Sequence, residues 1–140
     1  MSAVAGMVEK LRESRARIQD EMAQLSNEQM TLPVPGRQTP ANVRFMYYRI
    51  IAHQVEHTVH LIQTLAGLGV HQTEAQLILN NLQVARGKLE GLLIGLTDED
   101  LEREPADGEW SPKQVLEHIV ETEETYASRI REAIQAAPST

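Results

Sequence analysis

The 140 residues contain no cysteine, which excludes disulfide frameworks, zinc ribbons, thiol nucleophiles and iron–sulfur clusters and leaves His, Asp and Glu to hold any metal. Aromatic residues are few: one Trp, one Phe and three Tyr do not supply the clusters that sheets use. Positive charge is also in deficit, with 13 Lys and Arg against 20 Asp and Glu and a net charge of -7, so the chain lacks the electrostatics of a nucleic-acid binder. The longest apolar run, Gly91 to Leu96, is far too short for a membrane span, and Met1 to Lys10 turns charged before an apolar leader can form. These absences predict a soluble, cytoplasmic protein with neither nucleic acid nor membrane as partner, and the length predicts a single domain over residues 1–140.

What is present favours helix. The chain is rich in Ala, Leu, Glu and Gln, and its breakers divide it into four amphipathic segments. The first is expected from about Ala3 to Leu25, ahead of the irregular stretch that holds Pro33, Pro35, Gly36 and Pro40. The second is expected from about Ala41 to Leu68, with Gly69 as its C-terminal cap. Thr73 and Gln76 form a capping box for a third helix that runs to about Leu93. After a polar connection with room for one short turn, Ser111-Pro112 starts a fourth helix that reaches about Ala136. None of the four can bury its stripe alone, so the pattern predicts an all-α four-helix bundle.

The halves echo one another. Leu25-Ser26-Asn27-Glu28-Gln29-Met30 parallels Leu96-Thr97-Asp98-Glu99-Asp100-Leu101, and Thr39-Pro40 parallels Ser111-Pro112. Extending the alignment sets His53 opposite His118 if the second helix carries about seven extra residues, roughly two turns, which lengthen it without rotating its face. The reading is of two similar helix pairs.

Chemistry concentrates on the second helix, where His53, Glu56, His57 and His60 follow one another at i, i+3, i+4 and i+7 and share a stripe. An i, i+4 His pair can close on one metal ion, with a third ligand supplied by another helix; His118 is the candidate from the duplicated alignment. The ordinary alternative is that these are surface or hydrogen-bonded histidines. The crowd of Glu117, Glu121, Glu123 and Glu124 reads first as a solvated acidic face, and Trp110, placed just before a cap, as a buried anchor for the long connection.

The run from Glu109 through Trp110-Ser111-Pro112 to His118, Glu121 and Glu123 resembles the DinB-like superfamily of metal-binding four-helix bundles, whose motif is a Trp-Ser helix start, a His seven residues after the Ser and acidic residues three and five beyond it. His53-Gln54-Val55-Glu56-His57, ending in Leu68-Gly69, looks like that family's second motif. Their order is the reverse of the family's. The Arg-Gly-Gln that follows the last His in relatives is replaced by Thr58-Val59-His60, so that His60 can stand in for His57 or pair with Glu56. The resemblance implies a metal triad of His53, His57 and His118.

The superfamily includes thiol-dependent S-transferases and a mycothiol-dependent maleylpyruvate isomerase. By resemblance the expected cofactors are a divalent metal (zinc, nickel or iron) and a low-molecular-weight thiol, the expected partner is a small-molecule substrate, and Glu56 or Glu121 is the base or the acceptor behind the ligands. A non-catalytic bundle that acts by dimerisation or partner binding is the competing expectation, and a homodimer is compatible with either.

Overall fold

The computed structural model describes residues 2–139 and is all-α, with four long helices, one short helix and no strand of a sheet among the described residues. The helices are α1 (Ala3–Met22), α2 (Val43–Gly67), α3 (Glu74–Gly91), α4 (Asp98–Glu102) and α5 (Pro112–Ala136), with a single 3-10 turn at Gln29–Thr31. The chain divides into two compact units, Met1–Gly95 and Leu96–Thr140.

Local chemistry explains most of the boundaries. Ser2 accepts from the Ala5 amide to start α1, and the capping boxes of Thr73 with Gln76 and Ser111 with Gln114 start α3 and α5 where their sequences require. Gly69 ends α2 as expected. With φ of 70° it turns the chain so that its own N–H reaches the Ala66 carbonyl and the Val70 N–H reaches back to Leu65, which are the two bonds of a Schellman close.

The start of α2 departs from expectation. Pro40 does not open the helix, because residues 32–34 and 41–43 pair across a short extended bridge, Val34 N–H to Ala41 at 2.8 Å and Val43 N–H to Leu32 at 2.9 Å. Asn42 therefore remains extended and caps α2 by accepting from the Phe45 amide at 2.9 Å.

The internal echo is visible in backbone and cap geometry. Ser26 and Gln29 exchange side-chain bonds with each other's amides at 3.1 and 2.9 Å, and Thr97 and Asp100 do the same at 3.3 and 3.1 Å. Each box opens a short helical turn that precedes a 25-residue helix, α2 or α5. Equal lengths remove the need for a seven-residue insertion. Counted from the caps Asn42 and Ser111, the equivalent of His118 is Arg49, and His53 stands about one turn farther along its helix.

Within the first unit the Tyr47 hydroxyl donates to the Met22 carbonyl at 2.8 Å and Arg15 pairs with Glu90 at 3.5 Å, which links α1 to α2 and to α3. Within the second, Lys113 of α5 pairs with Glu102 of α4 at 3.1 Å. The apolar stripes remain open: among the described residues no apolar side chain is buried, and Ser111, at 4% exposure, is the one buried polar residue. Trp110, expected inside, is 53% exposed. The connection before α5 leaves its ring in an open cleft beside Pro105, Pro112 and Val115 instead of folding it under a core.

Candidate metal centre

The second helix places its histidines in a row because a straight α-helix stacks residues three and four apart. The His53 and His57 rings meet edge to face with centroids 4.4 Å apart, and those of His57 and His60 lie 5.6 Å apart. The Nδ1 atoms of His57 and His60 come within 3.4 Å. The helix continues uninterrupted through the row. Thr58 and Thr64 satisfy their hydroxyls by donating to the Gln54 and His60 carbonyls at 2.7 and 2.9 Å, so neither competes for the imidazoles.

A metal can be tested against that distance. Two ligands at about 2.0–2.1 Å from an ion in tetrahedral geometry have nitrogens about 3.3–3.4 Å apart. For a neutral N–H···N hydrogen bond, 3.4 Å is long. The pair formed by His57 and His60 has the nitrogen separation of two ligands on one tetrahedral ion. It differs from the i, i+4 pair of His53 and His57 only in which two rings of the row converge. Glu56 lies on the same helix one turn before His60. Within neither unit do three or more described His, Asp or Glu side chains cluster tightly enough to complete a site on their own. Any further ligand must come from solvent, substrate or a side chain outside the row.

His53 also lines a cleft of about 400 Å³ between α1 and α2, with Ser14, Ile18, Met46, Arg49 and Ile50. Sequence reading did not single out Ser14 here; the signal available for Arg49 was its position one turn before His53.

In the second unit, His118 is exposed on α5, and its ring stands edge to face with Trp110 at 5.1 Å. The Trp-Ser start and the His seven residues later are therefore joined in space by an aromatic contact, a link that spacing alone did not indicate. Glu121, one turn beyond His118, lines an open groove with Leu116, Glu117 and Val120. His53, Glu56, His57 and His60 lie in the first unit, and His118 and Glu121 in the second.

No curated protein and no solved structure matches the chain. Residues 53–69, which carry the histidine row, lie outside the stretch that a family model does recognise. That stretch, residues 81–140, holds α4, α5, Trp110-Ser111 and His118, and it matches the DinB superfamily, in agreement with the resemblance read from Glu109 to Glu123.

Proposed function

We propose that the protein is a divalent-metal-dependent enzyme that acts on a small-molecule substrate, with the metal held on α2 by His57 and His60. The observation that carries this reading is the 3.4 Å separation of their Nδ1 atoms, the edge length of a tetrahedral site. His53, stacked on His57, is the next imidazole in the row, and His118 is the further ligand that the DinB resemblance adds. A bound divalent ion held by neutral imidazoles keeps its full charge and so lowers the pKa of a thiol or water in its open positions.

The protein's own residues supply the rest. Glu56, one turn from His60, accepts an imidazole N–H or takes the proton released by the bound nucleophile, and Glu121 has the same role beside His118. Thiol-dependent S-transfer or isomerisation is the reaction class that the DinB resemblance brings to this reading, with a low-molecular-weight thiol as co-substrate. Imidazole ligands admit zinc, nickel or iron.

Equilibrium dialysis of untagged protein against zinc and nickel, followed by metal analysis, tests the site. One equivalent is expected on the wild type and a loss of at least tenfold in affinity for His57→Ala and for His60→Ala. A similar loss for His118→Ala would place His118 among the ligands. Wild-type binding no tighter than that of the double variant His57→Ala/His60→Ala would overturn the reading.

A further inference from the structure

From Gln29 to Val55 the chain carries Arg37, Arg44 and Arg49 and no Asp or Glu, while the rest holds ten Lys and Arg against twenty Asp and Glu. Arg49 brings this positive stretch to the cleft between α1 and α2, and no acidic residue lines that cleft. Its polar side chains are the Ser14 hydroxyl, the Arg49 guanidinium, the His53 imidazole and the Gln54 carboxamide. Among the described residues none of these side chains has a hydrogen-bond or ion-pair partner in the protein, whereas Arg15, Arg103 and Arg131 each pair with a carboxylate of the chain. Ile18, Met46 and Ile50 form the apolar part of the wall. Arg37 reaches the Met46 sulfur at 3.3 Å, which sets a second cation behind it. A cation, three further hydrogen-bonding groups and an aliphatic wall around about 400 Å³ are the make-up of a small-molecule pocket.

We propose that this cleft binds a small carboxylate with an apolar tail. Arg49 and His53 stand four residues apart on one face of α2, so both can reach one carboxylate. The guanidinium offers parallel N–H donors to the two oxygens and the imidazole a further one. Ser14 adds a hydroxyl from α1. The tail lies against Ile18, Met46 and Ile50, a contact that a bare inorganic anion cannot make. The cleft adjoins the histidine row, because the His53 ring stands edge to face with His57 at 4.4 Å. That this carboxylate is the substrate of the enzyme rests on the metal reading of His57 and His60; that it binds does not.

Titration of the metal-free full chain, stripped on a chelating resin, with hexanoate tests the site, read from the Arg49 Nε–H and Met46 methyl resonances. Saturable shifts with a Kd of about 1 mM are expected, the scale that roughly eight non-hydrogen atoms allow. Hexanamide has the same tail without the charge and inorganic phosphate has charge without the tail; each is expected to bind about tenfold more weakly. Arg49→Met is expected to weaken hexanoate about tenfold with helix content unchanged, whereas Arg44→Met, an equal loss of charge outside the cleft, leaves Kd as it is. Should Arg49→Met lose helix, the comparison of hexanoate with hexanamide on the wild type decides alone. Hexanamide or phosphate binding as tightly as hexanoate, equal losses for the two Arg variants, or no saturation by about 20 mM would each overturn the inference. Zinc held by His57 and His60 with no hexanoate in the cleft overturns it and leaves the proposed enzyme standing; hexanoate in the cleft of a protein that binds no zinc does the reverse.

Discussion

His57 and His60 stand on successive turns of α2 with their Nδ1 atoms 3.4 Å apart, while the ring of His53 rests edge-on against His57. Three imidazoles in one row make the histidines unequal in function. Removing the middle one breaks both contacts, so His57→Ala is expected to lower metal affinity more than His53→Ala does. Isothermal titration with zinc checks the order, and equal losses for the two variants would show that the row does not act through His57.

Gly69 closes α2 in a left-handed conformation, and a Cβ there would meet nothing within 4 Å. The cost of Gly69→Ala is therefore backbone strain alone, about 1 kcal/mol, and it should appear as a lower midpoint in urea with an unchanged slope. A neutral effect would mean that the Schellman bonds to Leu65 and Ala66 do not set the end of the helix.

Ser111 is the most enclosed cap, half of a reciprocal box with Gln114 and 4% exposed. Ser111→Ala leaves the Gln114 amide without its acceptor and empties the enclosed Ser111 position, and it is expected to cost about 1–2 kcal/mol, more than Ser2→Ala at the exposed start of α1. Denaturant unfolding of both variants measures the difference.

The second unit should lose stability at both ends of the pH scale. The Thr97 hydroxyl and amide, with a smaller contribution from Arg103, hold the Asp100 carboxyl below its ordinary value. A depressed folded value means that the gain is present above the unfolded pKa and is lost as pH falls through the folded one. The hydrogen bond and charge of Glu102, with Glu117 behind, raise Lys113. That gain is present below the unfolded lysine value and is lost as pH rises through the folded one. Asp100→Asn should flatten the acid limb and Lys113→Met the alkaline limb of a plot of melting temperature against pH. A limb that keeps its slope in its own variant would contradict the assignment.

Local signals carried the helices and long-range ones did not. Thr73 with Gln76, Gly69 and Ser111-Pro112 act within one turn of chain, and the structure uses each as the sequence indicates. Pro40 was misleading because the bridge that holds Asn42 extended depends on Leu32 and Val34, eight or more residues away. Trp110 has the size and place of a buried anchor but is 53% exposed. Its position depends on the path of residues 103–110, which no periodic pattern encodes. At the candidate site, helical spacing put His53, His57 and His60 on one stripe, but rotamers decide which nitrogens converge, and spacing holds no information about those.

The most direct test of the metal centre is long-range proton–nitrogen NMR of the imidazoles during a zinc titration of the intact protein. The Nδ1 resonances of His57 and His60 are expected to move together and stop at one equivalent, with exposed His71 unaffected. If both nitrogens remain fixed through several equivalents of zinc, the 3.4 Å pair is no metal site and the proposed activity loses its basis.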